Sequence, residues 1–204
     1  MSDRSSAGVV RKSDRTRESI LDAARIAFAR KGFSGVTIRD ITDLAAVNRA
    51  GFYYYFADKT ELFVELGTQT YRQVLEVAEA FGELDAPPSR HQLEMWVERY
   101  FDYLDRSGAF VIRSADDMPT DPKFRARVTR SHRRTAAALG AGAGIAKVAV
   151  TPLRVDPAAS GLAVMAMLER SWLMVSHNEI ASVDRTAVLA AATELLWRTV
   201  NAQP

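Results

Sequence analysis

Residues 37–59 read TIRDITDLAAVNRAGFYYYFADK, a stretch in which two sets of helix signals stand on either side of one short break. Thr37 is followed three residues later by Asp40, which resembles a capping box and predicts that a helix begins at about Ile38. The apolar residues of this helix recur at helical spacing, at Ile38, Ile41, Leu44 and Ala45. We therefore expect a short helix with one face against a core.

A second short helix is predicted to follow Val47, with Asn48 as its N-cap. Its inner face is formed by Phe52, Tyr55 and Phe56, which lie three and four residues apart. The opposite face has one guanidinium, two phenols and two small residues, at Arg49, Ala50, Gly51, Tyr53 and Tyr54. Small residues let a backbone approach base edges, phenols can donate to phosphates, and an Arg side chain can bind guanine through two hydrogen bonds. This face therefore suits entry into a DNA groove.

The segment resembles the DNA-binding head of the TetR-type (tetracycline-repressor-like) regulators. The resemblance rests on an apolar first helix that closes at Lys31-Gly32-Phe33, and on two motifs, Thr37-Ile38-Arg39-Asp40-Ile41 and Tyr53-Tyr54-Tyr55-Phe56 with Lys59. It covers roughly the first third of the chain. The chain departs from the family pattern at the turn residue Ala46, where glycine is usual, and at Ala50, Gly51 and Tyr54.

The resemblance implies a set of DNA-contacting residues. Phosphate contacts are expected from Thr37, Tyr53, Tyr54 and Lys59. Base contacts are expected from Asn48, Arg49 and Gly51. Arg39, which lies in the first motif, completes the predicted DNA-binding set. Ala46 carries backbone strain if its φ is positive.

Composition limits the other classes of function. The 204 residues are 48% hydrophobic, enough for one large or two small domains with cores. The absence of cysteine excludes disulfides, thiolate zinc sites and cysteine nucleophiles. His91, His132 and His177 are far apart in sequence, so we predict no metal site and no cofactor.

The longest apolar run, residues 136–146, is shorter than the roughly 20 residues needed to cross a bilayer, and residues 1–10 lack a secretory signal. A cytoplasmic location is expected.

Net charge is +2, and it is unevenly distributed. Residues 1–17 hold five basic and two acidic side chains. A flexible basic arm here could add salt-sensitive affinity for DNA, or it could be a solvated tail that aids solubility.

Further helix starts are predicted at Asp58, Ser89, Asp121, Asp156 and Asp184. The predicted ends are near residues 82, 108, 147, 178 and 200, and no strand signal appears. The predicted fold class is all-α, with about nine helices: a three-helix helix-turn-helix head joined to a larger helical ligand-binding and dimerisation bundle. We assign residues 1–14 to a basic disordered arm, 15–58 to the DNA-binding domain and 59–204 to the effector-binding and dimerisation domain.

The helix from Pro157 is apolar nearly all round and must be covered on more than one face. The simplest cover for it and the last helix is the same pair from a second subunit, in a two-fold four-helix interface. Burial of both helices within one subunit is the alternative.

Candidate effector contacts come from three of these helices. Aromatic and Met side chains at helical spacing are usually core, yet together they could line an adaptable apolar cavity. The candidates are Met95, Trp96, Tyr100, Tyr103, Met165, Glu169, Trp172 and Trp197. Glu169 and Arg170 are either polar groups of a pocket or ion-pair partners at a rim. The Met95-Trp96 and Glu169-Arg170 neighbourhoods are similar to those of the ethionamide-regulator branch of the family, which implies a hydrophobic effector.

The sequence as a whole favours a homodimeric regulator, most often a repressor, that leaves a palindromic DNA operator when a small hydrophobic molecule binds. A DNA-binding protein with a filled core and no effector is the alternative. A helical enzyme would depend on Asp116 and Asp117, and adjacent residues on a helix do not face the same point. We therefore predict a protein that is not an enzyme.

Overall fold

The computed structural model describes residues 3–142, 156–176 and 183–201, and for residues 3–12 it describes the backbone alone. Within these ranges the chain forms eight helices and no strand, which confirms the predicted all-α class. The helices are α1 (Asp3–Gly35), α2 (Ile38–Ala45), α3 (Arg49–Tyr55), α4 (Lys59–Gly82), α5 (Arg90–Asp116), α6 (Pro122–Ala141), α7 (Pro157–Ser176) and α8 (Arg185–Val200).

The predicted helix starts are confirmed. They could be predicted because a helix start depends on side chains within one turn of it. At α2, the Asp40 N–H donates to Thr37 Oγ1 at 3.2 Å and the Thr37 N–H donates to Asp40 Oδ2 at 2.8 Å, a complete capping box. At α3, Asn48 Oδ1 accepts from the Gly51 N–H at 2.7 Å. Asp184 caps α8 in the same way, accepting from the Ala187 N–H at 2.8 Å.

The amino terminus differs from the expectation. Helix α1 already begins at Asp3, so residues 3–14 are helical and the prediction of a disordered arm is wrong for them. No proline interrupts this stretch, and a helix already formed by the folded residues behind it extends at low cost. The side chains of residues 3–12 lie outside the description, so DNA contact by this segment stays a prediction.

Helix α5 runs past its predicted end at Ser107-Gly108 and stops at Asp116. Gly108 packs against an indole ring: a Cβ placed on it would lie 2.7 Å from Trp172 Cζ3. Glycine is therefore present to admit the ring, and the helix continues through it at a cost of about 1 kcal/mol relative to Ala.

Helix α6 meets α7 at two glycines. A Cβ on Gly140 would lie 1.8 Å from the Pro157 carbonyl oxygen, and a Cβ on Gly161 would lie 1.8 Å from the Ala136 carbonyl oxygen. Gly140 and Gly161 therefore allow the two helix backbones to touch. The predicted helix ends at residues 147 and 178 lie outside the described residues.

The chain divides into two compact units. Unit 1 comprises residues 1–70 and 109–124, and thus takes in the start of α4 and the end of α5 along with the helix-turn-helix segment. Its core centres on Phe63, whose ring lies 5.0 Å from that of Phe28, 5.1 Å from Phe33 and 5.3 Å from Phe110. Edge-on aromatic packing of this kind stabilises the unit beyond simple apolar burial.

Unit 2 comprises residues 71–108 and 125–204. Its core includes Leu93, Tyr100 and Leu104 of α5, Leu168 of α7 and Leu196 of α8, all buried. Of the described helices, α7 has the length and composition that could cross a membrane, a test that core helices of soluble proteins also pass. One side of α7 is buried within the unit, and Leu162 on another side is 60% exposed. The prediction that α7 needs cover on more than one face is consistent with this geometry.

Candidate functional site

The turn between α2 and α3 is shaped by Ala46. This residue has φ 53° and ψ 39°, the left-handed conformation in which glycine is usual. The Val47 N–H donates to the Thr42 carbonyl at 3.1 Å, which closes the end of α2. The strain foreseen for a positive φ is therefore present, at a cost of about 1 kcal/mol for a residue with a Cβ.

Helix α3 presents the two faces that its sequence predicts. Phe52 and Phe56 are buried, at 0% and 2% exposure, whereas Tyr53 is 44% and Tyr54 is 77% exposed. Arg49 is exposed as well. Its Nη2 donates to the Tyr53 hydroxyl at 3.2 Å, and its guanidinium lies 5.5 Å from the centre of the Tyr53 ring. The three side chains expected to reach DNA thus share one solvent-facing surface.

The α3 N-terminus adds Asn48 and Gly51 to this surface. Asn48 is exposed, and its side-chain oxygen is occupied by the cap. Gly51 is half-buried, and a Cβ on it would lie 3.2 Å from Asn48 Oδ1, tighter than ordinary contact. Glycine at this position therefore keeps the Asn48 cap intact. It also leaves no side chain there between the α3 backbone and solvent.

Thr37 and Arg39 lie exposed at the start of α2. The Thr37 hydroxyl donates to Asp40 Oδ2 at 2.7 Å, and Lys31 Nζ donates to Asp40 Oδ1 at 2.6 Å. The hydrogen bond from Lys31, with those from Thr37, holds the pKa of Asp40 well below its usual range. Arg39 pairs with Asp43 at 3.6 Å, and both side chains are largely exposed. Such a pair contributes little stability, so the guanidinium can exchange it for a phosphate.

Lys59 is placed differently from the other predicted DNA contacts. Its Nζ donates to the carbonyls of Phe33 and Val36, at 2.8 Å each, and lies 4.6 Å from the centre of the Phe33 ring. The ammonium group is therefore used inside unit 1, where it fixes the turn that leads into Thr37. Sequence reasoning assigned Lys59 to a phosphate and did not anticipate these contacts.

The same turn is held from a second side by Asp117, which the sequence singled out only as a possible acidic pair with Asp116. Its Oδ2 accepts from the Ser34 N–H at 3.0 Å and its Oδ1 accepts from the Ser34 hydroxyl at 2.8 Å. These bonds lower the pKa of Asp117. Gly32, with φ 71°, leaves the space: a Cβ there would lie 2.2 Å from Asp117 Oδ2. No local signal could reveal the contact, because its partners are 83 residues apart.

The predicted effector residues lie in unit 2 and differ in burial. Trp96, Tyr100, Tyr103, Met165 and Trp172 are buried, Trp197 is half-buried, and Met95 is 54% exposed and belongs to the surface. The two buried indoles have their N–H groups satisfied: Trp96 Nε1 donates to the Val77 carbonyl at 2.8 Å, and Trp172 Nε1 donates to Asp105 Oδ1 at 2.7 Å.

Two polar contacts lie near these aromatic side chains, one partly buried and one exposed. The Tyr100 hydroxyl donates to Glu169 Oε1 at 3.3 Å, and the Tyr71 hydroxyl lies 2.8 Å from His132 Nε2. Burial raises the pKa of Glu169 and lowers that of His132. Arg170, the neighbour of Glu169, is exposed. Sequence reasoning missed Tyr71 and His132, since a single Tyr and a single His on amphipathic helices give no distinguishing pattern.

The amino-terminal part of the chain is similar in sequence to known proteins. Residues 20–66 match the family model described as bacterial regulatory proteins, tetR family. Over 100 residues the chain is 37% identical to the transcriptional repressor NicS of Pseudomonas putida, covering 49% of this chain and 47% of that protein. Over 114 residues it is 31% identical to the repressor AcnR of Corynebacterium efficiens, covering 56% of each chain. The match thus spans about half the length of these relatives.

Solved structures resemble the chain over nearly its whole length. The TetR family transcriptional regulator PfmR of Thermus thermophilus superposes with a TM-score of 0.65 at 18% identity, covering 91% of this chain and 95% of that one. The regulator FadR of Bacillus subtilis, in complex with stearoyl-CoA, gives a TM-score of 0.62 at 16% identity, covering 92% and 99%. At these identities the likeness concerns the fold. Residues 20–66 therefore match an amino-terminal domain of the tetR family, and the chain as a whole shares the fold of these solved regulators.

Proposed function

We propose that this protein is a cytoplasmic DNA-binding transcriptional repressor and not an enzyme. The observation that carries the proposal is the outer face of α3, where Arg49, Tyr53 and Tyr54 are exposed together while Phe52 and Phe56 anchor the helix in the core. A recognition helix must present its reading side chains outward on a rigid support. The amino-terminal similarity to named transcriptional repressors supports the same conclusion.

The proposal includes a homodimer formed through α7 and α8. Both helices expose large apolar side chains: Leu162 is 60% and Leu195 is 55% exposed. A second copy of the same helix pair would remove them from water in a two-fold interface. Two-fold symmetry also suits a palindromic operator, whose half-sites lie about 34–36 Å apart.

The proposal further includes release from DNA by a small hydrophobic molecule bound in unit 2. The buried aromatic and Met side chains named above supply an apolar lining, and Glu169 with the Tyr100 hydroxyl supplies polar groups that orient a ligand. Helices α4 and α5 each contribute residues to both units. A ligand that binds better to the conformation unable to hold DNA would therefore shift the population away from the operator.

A filled core favours a second candidate, a repressor without an effector. Tyr100, Trp96 and Leu168 are almost fully buried by protein atoms alone. Thermal unfolding against a panel of small apolar molecules separates the two candidates: a dose-dependent rise in Tm supports the effector, and its absence over the panel supports the filled core.

The DNA-binding proposal is tested by selecting bound fragments from random DNA and measuring their affinity with the full chain. We expect two-fold symmetric sequences. Arg49→Ala should relax preference at one position per half-site, at a cost of about 1–3 kcal/mol, and Tyr54→Ala should weaken binding to all sequences and reduce its salt dependence. Arg72→Ala, which removes an exposed charge from unit 2, is the matched control. Unchanged sequence preference in Arg49→Ala would remove this residue as the reader.

The dimer is tested separately by light scattering on Leu195→Glu. A charge placed in an apolar interface should yield monomers. Leu44→Glu, which changes a 49% exposed Leu in unit 1, should leave the oligomeric state unaltered. A monomeric wild type, or a dimeric Leu195→Glu variant, contradicts the proposed interface.

A further inference from the structure

Five polar side chains from four helices lie close together in unit 2: Tyr100 and Tyr103 are buried, Tyr71 and Glu169 are half-buried, and His132 is exposed. Tyr71 comes from α4, Tyr100 and Tyr103 from α5, His132 from α6 and Glu169 from α7. Two contacts tie them in pairs, Tyr100 to Glu169 and Tyr71 to His132. The rings of Tyr100 and Tyr103 are 6.0 Å apart and meet edge to face. We call this group the Glu169 cluster.

Among the described residues, no ion pair balances the carboxylate of Glu169. In the part of the chain that the structure describes, the hydrogen-bond partner of Glu169 is the neutral Tyr100 hydroxyl, and the pKa of Glu169 is raised because burial outweighs that bond. The His132 ring contacts the Tyr71 hydroxyl, and desolvation lowers its pKa and so disfavours the charged imidazole. Desolvation of a carboxylate without a cation beside it is costly, and perturbed groups of this kind cluster at functional sites.

Three phenols lie within the electrostatic influence of Glu169, and one of them, that of Tyr100, donates a hydrogen bond to it. The negative charge of Glu169 adds to burial in raising the pKa of Tyr71, Tyr100 and Tyr103, so all three stay protonated and neutral. Neutral phenol rings offer electron-rich faces, and an ammonium group is attracted to such faces as well as to a carboxylate. A carboxylate or phosphate placed here would instead be repelled by Glu169.

We propose that the effector site of this protein takes a molecule whose apolar body carries a protonated amine, with Glu169 as its counter-ion and the phenols of Tyr71, Tyr100 and Tyr103 around the ammonium. This inference rests on the proposed effector-responsive function and adds the charge class of the ligand. It separates this chain from B. subtilis FadR, whose solved complex contains stearoyl-CoA, an anionic thioester.

The test uses two matched series of probes on the full chain without DNA: 2-naphthylmethylamine, 2-naphthylmethanol and 2-naphthoic acid, then octylamine, octanol and octanoic acid. Isothermal titration at pH 7 gives each Kd. In at least one series we expect the amine to bind about 10-fold more tightly than the alcohol, because a charge-assisted hydrogen bond is added. We expect the acid to bind more weakly than both.

The Glu169→Gln variant should remove the advantage of the amine and leave the Kd of the alcohol within about 3-fold of its wild-type value. Glu98→Gln, an exposed acid on α5, is the matched control and should change nothing.

Three results would overturn the inference: no binding by either amine, equal binding of amine, alcohol and acid, or an unchanged amine affinity in Glu169→Gln. If that variant does not fold, the order of the three wild-type affinities decides alone. Operator binding is measured in parallel. If the ligand-free chain binds no DNA, the proposed function is refuted. If an amine binds the chain without releasing DNA, the effector role is refuted and the ligand class stands.

Discussion

Replacing Gly161 with Ala adds one methyl group where helices α6 and α7 touch. The new Cβ would lie 1.8 Å from the Ala136 oxygen, 2.7 Å from the Ala136 carbonyl carbon and 2.8 Å from the Gly140 nitrogen. All three neighbours are backbone atoms, so no side chain can rotate to make room. The helices must separate by about 1.7 Å to bring the 1.8 Å contact to an ordinary distance of about 3.5 Å.

The cost of this separation follows from the interior packing of unit 2. Overpacking a core costs about 1–3 kcal/mol, sometimes more, and here the loss of the helix–helix contact is only partly offset by the better helix propensity of Ala, about 1 kcal/mol. We expect Gly161→Ala to lower the free energy of unfolding by about 2 kcal/mol and the Tm by about 4–8 °C for a chain of this length.

Gly67→Ala is the matched control. Gly67 lies inside α4, and a Cβ built on it meets no atom within 4 Å. Only the propensity gain remains, so this variant should be more stable by about 0.5–1 kcal/mol. Urea denaturation followed by circular dichroism measures both. A Gly161→Ala variant as stable as the wild type would refute the argument from close backbone contact.

Two further predictions concern the turn and cap that lead into the helix-turn-helix. Gly32→Ala should destabilise the protein by about 1–3 kcal/mol in urea denaturation, because Gly32 has φ 71° and ψ 174° and its Cβ would displace Asp117; a loss below about 0.5 kcal/mol would contradict this. Asp40→Asn should reduce the acid sensitivity of folding. Lys31 and Thr37 depress the folded-state pKa of Asp40. The stabilising effect of Asp40 is therefore present above the unfolded pKa of about 3.9 and is lost as the pH falls below that value. Equal acid sensitivity of wild type and variant, in urea melts from pH 5 to pH 2, would contradict this prediction.

The sequence by itself determined the parts of this protein that depend on neighbours along the chain. Thr37 and Asn48 cap their helices through atoms three residues away, so the residue types alone indicate the start. Helical periodicity likewise separates buried Phe52 from exposed Tyr54, since residues two apart point to different sides. The two helices of the DNA-binding motif and its outward face could be predicted for this reason.

The tertiary structure alone decided what distant residues do to one another. Lys59 reaches carbonyls 23 and 26 residues away, Asp117 reaches Ser34 across 83 residues, and Tyr100 reaches Glu169 across 69. Hydrogen bonds and close contacts depend on distances below about 3.5 Å, and such distances between remote segments arise only when the whole core packs. Periodicity marks which face of a helix is buried. It does not say which atom of another helix that face will meet.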